Sequence, residues 1–320
     1  MDRSFSRPLA RLRATAPPRG RERMGRQARS EERLFYFIIS LWAAGFLLFE
    51  LGPLLASVFF SFTHYDIVSP ARWFGLGNYS MIAVDHLFWQ SLKVTCLYSL
   101  GGVGLGMVAS LATALLLNRK IYGVSLFRTL FYLPSVISGV AVSLLWMWLF
   151  NPDLGLINSL LWSLFRIQGP GWIYVEDWAL PSLIVMSLWG VGGSIVIYLA
   201  SLQGIPTELY EAAEIDGADS WVRLLSITLP MMSPVIFFNL IMGIIGSFQV
   251  FTQGYVMTKG GPHNATLFYV LYLYRYAFQY LQMGYASALA WILFLILLVL
   301  TMLVFRSATA WVYYEEPMAK

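Results

Sequence analysis

The side chains that could perform catalysis or hold a metal are few in this sequence and stand far apart. The 320 residues include one cysteine, Cys96, and three histidines, His64, His86 and His263. A lone cysteine rules out a disulfide framework and a cysteine metal cluster, and histidines so widely separated do not suggest a zinc or haem site. The glycine-rich run 101–106 lacks the lysine of a phosphate-binding loop, and close helix packing explains its glycines better. We therefore expect no catalytic residue, metal, cofactor or ATP hydrolysis in this chain.

The densest group of acidic side chains lies between residues 204 and 229, which hold five of the 17 acids. Glu208 and Glu211 would favour the positive N-terminal end of a helix, and Gly217 is placed to end that helix. A second short helix, at about 220–227, would follow. A helix–turn–helix elbow of this kind could dock against another protein, but an ordinary solvated acidic loop fits these residue types as well.

The composition places these groups in a membrane protein. Apolar residues make up 58% of the chain and charged residues 12%, whereas a soluble domain carries roughly 25% charged and 45–50% apolar residues. So little charge leaves no polar surface for a soluble enzyme, and so apolar a chain is not disordered. The apolar runs are continuous rather than alternating, which indicates helices. We predict an all-α polytopic membrane protein with six transmembrane helices.

Six apolar stretches are long enough to cross a bilayer, which takes about 20 residues at about 1.5 Å each. They are 34–62, 91–117, 130–150, 180–202, 231–251 and 285–305. Two further segments, 154–165 and 267–281, are too short or too polar to span, and their aromatic residues suit the headgroup region. We expect 267–281 to be an outer interfacial helix leading into the sixth stretch, and 154–165 to lie along the outer interface. Glu50, inside the first stretch, is either a functional acid or a residue near the outer interface.

Basic charge predicts the orientation of the spans. Ten of the 21 lysines and arginines lie in 1–33, and such charge beside a first span marks the cytoplasmic side. This arm could instead bind nucleic acid or lipid phosphates. The connection after the second stretch contains Arg119, Lys120 and Arg128, so this connection is predicted to be cytoplasmic as well. Alternation of the six stretches then places both termini in the cytoplasm. The predicted divisions are a disordered basic arm, 1–33; a first transmembrane helix with its outer loop, 34–90; a transmembrane domain, 91–305; and a cytoplasmic tail, 306–320.

The connection 204–229 resembles a motif of a known protein family. Glu211-Ala212-Ala213, Gly217, Ile227, Leu229 and Pro230 stand at the spacing Glu-Ala-Ala-x3-Gly-x9-Ile-x-Leu-Pro. This is similar to the EAA loop of ABC importer permeases, which docks as a coupling helix into a cleft of the ATPase subunit. The resemblance implies ATPase-coupling contacts at Glu208, Glu211, Ala212, Ala213, Asp216 and Gly217. It also implies the all-α type I importer (MetI-like) core.

Other segments extend the resemblance over about 35–305. Similar stretches occur in the first of the two permeases of sugar and glycerol-3-phosphate importers, and here they are 74–79, 132–134, 150–155, 258–262 and 283–288. The implied partners are a second homologous permease, an ATPase dimer that carries ATP and Mg, and an extracytoplasmic solute-binding protein. The implied location is the bacterial cytoplasmic membrane. The loop around Gly260, Gly261 and Pro262 would meet the binding protein.

A path for a sugar needs hydrogen-bonding groups and aromatic faces at membrane depth, where glycine-broken helices are expected. The fourth and fifth stretches carry such groups. By residue type and by resemblance to the maltose permease, the substrate-path candidates are Met186, Trp189, Gly190, Gly193, Ser194, Tyr198, Gly243, Ser247, Gln249 and Val250. Two of them are apolar where the maltose protein has polar groups, which puts maltose itself in doubt. The glycines could equally serve only to let helices pack.

The predicted function is that of the permease subunit of an ATP-driven importer for a sugar or oligosaccharide. An anionic solute such as glycerol-3-phosphate is the nearest alternative, although the fourth and fifth stretches contain no basic residue. A secondary transporter would need a series of buried acids or histidines, and an intramembrane protease would need a histidine at membrane depth. The predicted spans contain neither.

Overall fold

The computed structural model describes residues 26–119 and 122–313. The chain divides into two compact units, Met1–Ala56 and Ser57–Lys320. Part of the predicted basic arm (1–25), Lys120 and the end of the predicted tail (314–320) lie outside the described residues.

The first unit is helical over all its described residues. α1 (Arg26–Gly45) continues through a π-helical turn (Phe46–Leu51) into α2 (Gly52–Ser61), which runs on into the second unit. Residues 26–33 are therefore helical and not part of a disordered arm, because arginine, glutamine, alanine and glutamate are good helix formers. Glu50 lies in the π-helical turn with its side chain exposed.

The second unit consists of helices and one small hairpin. The hairpin pairs β1 (Thr63–His64) antiparallel with β2 (Arg72–Trp73). The helices are, in chain order, α3 (Gly77–Val84), α4 (His86–Leu117), α5 (Val124–Val136), α6 (Gly139–Leu149), α7 (Leu156–Phe165), α8 (Glu176–Ser187), α9 (Gly192–Gln203), α10 (Thr207–Ile215), α11 (Ser220–Arg223), α12 (Leu229–Phe248), α13 (Tyr269–Tyr274) and α14 (Met283–Trp311).

Within the described residues, four helical runs are long and apolar enough to cross a membrane. They are Ser30–Ser61, His86–Leu117, Ser220–Phe248 and Met283–Trp311. Two bent helix pairs bring the total to six if each pair counts as one span. Length and composition therefore allow four to six spans.

The third predicted span is a broken pair and not a straight helix. α5 and α6 meet at an angle of 101°. The break falls at Ile137 and Ser138, whose ψ angles of 140° and 134° are extended rather than helical. Pro134, in the last turn of α5, has no N–H to donate to the Leu130 carbonyl, so the turn just before the break is weakened.

The fourth predicted span is also bent, by 47°, between α8 and α9. A short 3-10 turn, Leu188–Gly190, joins the two helices. Gly192 opens α9 where it crosses α5 closely: a Cβ added there would lie 2.5 Å from the carbonyl oxygen of Phe131. Glycine is therefore required at this crossing, because any side chain would push the two helices apart.

The fifth span begins earlier than predicted. α11, a π-helical turn (Leu224–Thr228) and α12 form one continuous run, Ser220–Phe248. The second short helix predicted at about 220–227 is present as the first turns of this run, and the helix continues through Pro230 into the span. Pro230 does not interrupt the run, because the π-helical turn just before it changes the hydrogen-bond pattern where the proline N–H is missing.

Buried apolar side chains form two clusters, one centred on α4, α8, α13 and α14 and one on the far ends of α4, α9 and α12. The first cluster corrects the prediction for 267–281. Tyr269 and Tyr272 are almost completely buried, and the N–H of Tyr269 donates to Thr95 Oγ1 on α4 at 2.9 Å. The first half of this segment is thus core and not an interfacial helix. α7 occupies most of the segment 154–165 and is too short to span, as predicted.

Candidate functional site

A cavity of about 370 Å³ opens between α4, the bent pair α8–α9, α12 and the residues just after it. Its wall contains no charged side chain among the described residues. The polar groups on it are hydroxyls and amides, from Tyr98, Ser110, Ser187, Ser194, Asn239, Ser247 and Gln253. Glycines 102, 106, 190, 243 and 246 leave room between them. The cavity can therefore offer several neutral hydrogen-bonding groups to a solute, but no fixed charge.

One face of α4 supplies much of this wall. Tyr98, Gly102, Gly106 and Ser110 recur at intervals of four residues and so share one side of the helix. From the sequence, the glycines of 101–106 are expected to allow close helix packing. Gly101 does pack closely, since an added Cβ there would lie 2.8 Å from Ile184 Cδ1. Gly102 and Gly106 also lie near the bent pair, since an added Cβ would be 3.4 Å from Ser187 Oγ and 3.6 Å from Val191 Cγ1. Both line the cavity as well, and the spacing of four from Tyr98 to Ser110 was the sequence signal that could have shown it.

A hydrogen bond between α4 and α12 fixes one side of the cavity. Ser247 Oγ lies 2.6 Å from Ser99 Oγ and donates to it. Asn239, also on α12, is buried, and its Nδ2 donates to the Val235 carbonyl at 3.0 Å. Its side-chain oxygen therefore remains as an acceptor toward the cavity that Asn239 lines.

The predicted substrate-path residues divide into three groups. Gly190, Ser194, Gly243, Ser247 and Val250 line the cavity of 370 Å³. Met186 and Trp189 line an adjoining cavity of about 250 Å³, which shares Tyr98, Ser187, Gly190 and Gln253 with the first. Gly193, Tyr198 and Gln249 line neither.

The two remaining polar side chains of that prediction are held elsewhere. Tyr198 is 1% exposed and belongs to the second core cluster with Leu199 and Met232. Gln249 follows α12 as its C-terminal cap and is exposed. Three residues that the prediction did not select line both cavities: Tyr98, Ser187 and Gln253.

The elbow at 204–229 has a defined turn at its centre. Gly217 has a φ of +80°, and its N–H donates to the Glu214 carbonyl while the N–H of Ala218 donates to the Ala213 carbonyl, at 3.1 and 2.9 Å. These two bonds form a Schellman motif, which ends α10 with a left-handed residue. Asp219 then caps α11 by accepting the N–H of Val222 at 2.8 Å.

Side-chain contacts hold the two arms of the elbow together. Arg223 Nη1 lies 3.2 Å from Glu214 Oε1, and the hydroxyls of Tyr210 and Thr228 are hydrogen-bonded at 2.9 Å. The predicted coupling residues lie on the outside: all are exposed except Ala213, which is half-buried. They are Glu208, Glu211, Ala212, Ala213, Asp216 and Gly217.

The same elbow exposes large apolar side chains beside its acids. Ile215 is 87% exposed and Trp221 71% exposed, and Leu209, Val222 and Leu225 are also exposed. Exposed apolar groups of this size, mixed with charge, are typical of a surface that another protein covers.

The loop predicted to meet a binding protein is partly packed into the fold. Gly260 is buried, with a φ of +82°, and an added Cβ would lie 2.9 Å from Arg275 Nη2. Gly261 and Pro262 are half-buried. Arg275 donates to the Lys259 carbonyl at 2.6 Å, which ties the loop to the end of α13.

The carboxylate of Asp85 joins the start of α4 to α13 and to α14. This carboxylate caps α4 by accepting the N–H of Leu87. It also accepts hydrogen bonds from the hydroxyl of Tyr272, within α13, and from the hydroxyl of Tyr285, at the start of α14. Burial opposes the charge, but the hydrogen bonds from the two tyrosines outweigh it, so the pKa of Asp85 lies below its ordinary value. Burial and the bond to Asp85 raise the pKa of Tyr272.

Known proteins resemble the chain over most of its length. It matches the family described as "Binding-protein-dependent transport system inner membrane component" over residues 102–311. YesP of Bacillus subtilis (strain 168), a probable ABC transporter permease protein, is 44% identical over 295 residues, 91% of this chain and 95% of that protein. The lactose transport system permease protein LacF of Rhizobium radiobacter is 36% identical over 267 residues, 81% of this chain and 89% of that protein. MsmF of Streptococcus mutans, a multiple sugar-binding transport system permease protein, is 34% identical over 253 residues, 78% of this chain and 87% of that protein.

Solved structures show the same fold. A chain in the crystal structure of a bacterial alginate ABC transporter, in complex with an alginate pentasaccharide-bound periplasmic protein, superposes with a TM-score of 0.75 at 22% identity. The superposition covers 88% of this chain and 96% of that one. This likeness confirms the predicted all-α permease core. Because the family match and the relatives each cover well over half of the sequence, the chain belongs to the family of inner membrane components of binding-protein-dependent transport systems, the permeases of ABC transporters.

Proposed function

We propose that this permease imports a carbohydrate, either a sugar or an oligosaccharide. As a member of its family it is a multi-pass inner membrane protein and not an enzyme. The observation that carries the proposal is the uncharged cavity, walled by hydroxyls and amides, inside the helix bundle. The names of its relatives support it, since LacF is named for lactose and MsmF for multiple sugars.

The chemistry of the wall favours a neutral solute over an anionic one. A sugar hydroxyl can donate to the Asn239 oxygen and can accept from the hydroxyl of Ser194. A permease for glycerol-3-phosphate or another anion would be expected to present a lysine or arginine, because a buried phosphate needs a compensating charge. None of the lining residues is basic. The anionic alternative would therefore depend on a cation from a partner chain.

The energy for transport would come from a separate ATPase through the elbow at 204–229. Its exposed acids and apolar side chains form a surface suited to a protein partner, and its geometry is fixed by the Gly217 turn and the Arg223–Glu214 ion pair. ATP and Mg would bind on the ATPase subunits. A second, homologous permease would complete the pathway, and a solute-binding protein would deliver the cargo, in agreement with the family name.

The continuous run Ser220–Phe248 would carry the movement from the elbow to the cavity. Its first turn holds Arg223, which is paired to α10. Further along, the same helical run carries Asn239, Gly243 and Ser247 on the cavity wall. Closure of the ATPases would move the elbow, and the run would move the cavity wall with it, because a helix without a break transmits displacement as a rigid rod. Because six spans are predicted, both chain termini would lie on the same side of the membrane as the elbow, which is the cytoplasm.

The test is sugar uptake by the transporter assembled with its own partner subunits in proteoliposomes. Asn239→Leu removes an amide from the cavity and fills part of it, so we expect uptake to fall by at least about tenfold, as for loss of a buried hydrogen-bonding group. Gln249→Leu is the matched control, because Gln249 caps the same helix but is exposed and does not line the cavity. Its uptake should stay close to that of the unmodified protein.

Two outcomes would contradict the proposal. One is equal loss of uptake in both variants at equal expression. The other is uptake of a phosphorylated or carboxylated solute, competed by no neutral sugar. ATP-independent uptake that collapses with the proton gradient would instead indicate a secondary transporter.

A further inference from the structure

The helix α7 carries an apolar surface that no other described residue covers. Leu160 is 48% exposed, Leu164 is 69% exposed and Phe165 is 65% exposed. At ten residues and about 1.5 Å per residue, α7 is about half as long as a bilayer-crossing helix. It cannot span the membrane, and its apolar side chains need another environment.

The orientation of α7 is fixed by its own polar residue. Asn158 Nδ2 donates to the Pro152 carbonyl at 3.0 Å, and Asn158 Oδ1 accepts the indole N–H of Trp172 at 2.6 Å. Gly169 packs so closely against Asn158 Oδ1 that a Cβ there would collide with it. Asn158 therefore holds one side of α7 against the surrounding loop.

The opposite side of the helix is a strip of leucines. Leu156, Leu160 and Leu164 recur every four residues and are all exposed, whereas Ile157 and Leu161 are half-buried. We name these three residues the leucine strip. The strip is directed away from the bundle by the Asn158 contacts and not by chance rotation of a loose segment.

A cation stands at the end of the strip. Arg166 has a φ of +59° and ends α7 by donating its backbone N–H to the Trp162 carbonyl at 3.0 Å. Its guanidinium carbon lies 5.7 Å from the centre of the Trp162 ring. From Leu156 to Arg166 the sequence contains no acid. Apolar side chains bordered by tryptophan and arginine are the composition of a segment at a membrane surface.

We propose that α7 lies along the bilayer surface, with the leucine strip among the upper acyl chains and Arg166 against lipid phosphates. The place of α7 in the chain supports a lipid rather than a protein partner. α7 begins seven residues after α6 ends, and α6 and α8 each belong to a bent pair that could cross the membrane. A helix so close to the ends of two spans lies at the level of the headgroups. Positive charge without an acidic counterpart complements the phosphate layer. This role is independent of which solute the permease carries.

The experiment uses site-directed spin labels in the full transporter, reconstituted in vesicles of phosphatidylcholine and phosphatidylglycerol. Cys96 is the one cysteine of the chain, so Cys96→Ser gives a background in which single cysteines can be labelled. Labels go at Leu160→Cys and Leu164→Cys, with Leu295→Cys on α14 as the lipid-facing standard and Gln168→Cys, in the exposed loop, as the water-facing standard. Collision rates with oxygen and with a water-soluble nickel chelate report the environment of each label.

The leucine-strip labels should resemble Leu295, with a high ratio of oxygen to nickel collisions, and the Gln168 label should show the reverse. Arg166→Gln should shift the ratio at Leu160 toward water when phosphatidylglycerol is present, and Arg166→Lys should restore it. Nickel accessibility at Leu160 and Leu164 equal to that at Gln168 would overturn the proposal. Protection of those labels that appears only after a solute-binding protein is added would overturn it too, in favour of a protein partner.

Discussion

A single carboxylate, Asp85, joins three segments that lie far apart in the sequence. It caps α4 and accepts hydroxyls from Tyr272 and Tyr285, which are almost 200 positions further along the chain. A charged acceptor makes stronger hydrogen bonds than a neutral one, so ionisation of Asp85 stabilises this junction. Because the pKa of Asp85 is lowered in the fold, the linkage has a definite sign.

Asp85→Asn should lower the stability of the permease by about 1 kcal/mol at neutral pH, since the charged hydrogen bonds become neutral at a half-buried site that solvent still screens. The contribution of Asp85 is fully present above its ordinary pKa of about 3.9 and is lost as the pH falls through the lowered native value. Thermal unfolding in detergent between pH 7 and pH 3 should therefore show a difference between the two proteins that shrinks only at the acid end.

The exposed Asp153 provides the control for that measurement. Asp153→Asn should unfold like the unmodified protein across the range. A stability difference for Asp85→Asn that grows on acidification would contradict the assigned role.

At the scale of elements, glycines determine where helices end and how closely they cross. Gly217 and Gly192 illustrate the two uses. Gly217 takes a left-handed conformation that ends α10, and a Cβ added there would meet nothing within 4 Å. Gly192 has an ordinary backbone conformation but lies against the backbone of α5. Substitution at the first strains the backbone, and substitution at the second pushes two helices apart.

Gly217→Ala should distort the elbow, because an alanine at a φ of +80° costs about 1 kcal/mol. We expect weaker assembly with the ATPase, measured by co-purification of the subunits, while the membrane part stays folded. Gly204→Ala is the matched control at the start of the same connection. Its φ of −84° suits any residue, and the added Cβ would lie 3.4 Å from the Ser201 carbonyl oxygen and 3.8 Å from that of Ala200, which are van der Waals distances. Normal assembly in both variants would argue against the elbow as the ATPase contact.

Gly192→Ala should destabilise the permease by about 2 kcal/mol, because the new methyl group would press on the Phe131 carbonyl. Gly193→Ala, one position on, places its methyl group where nothing lies within 4 Å. Thermal unfolding of the two variants in the same detergent separates a packing role from a general effect of alanine. Equal melting temperatures for the two would show that α5 and α9 do not meet as closely as the structure has them.

At the scale of the whole molecule, the cavity and the elbow are separate surfaces on one helical run. The elbow exposes acids and large apolar groups, and the cavity is lined by neutral polar groups. The run Ser220–Phe248 belongs to both. This continuity favours a mechanism in which force enters at one end of a helix and changes the cavity wall further along it.

The sequence alone predicted the class of protein, the positions of the apolar stretches and the family. Those features depend on local composition and on fixed spacing, such as the run from Glu211 to Pro230, which can be read without knowing what packs against what. Five of the ten substrate-path candidates also line the main cavity, because polar and small residues inside an apolar stretch are few.

The tertiary structure decided which face of each helix meets which neighbour. Tyr198 and Tyr98 are both tyrosines inside apolar stretches, yet one lies in a packed core and the other on the cavity wall. The 101° break between α5 and α6 and the burial of α13 likewise follow from contacts between distant segments. Local sequence carries the propensity of a residue to be helical or apolar. Its environment is set by helices that are close in space and distant along the chain, and only the folded structure specifies those.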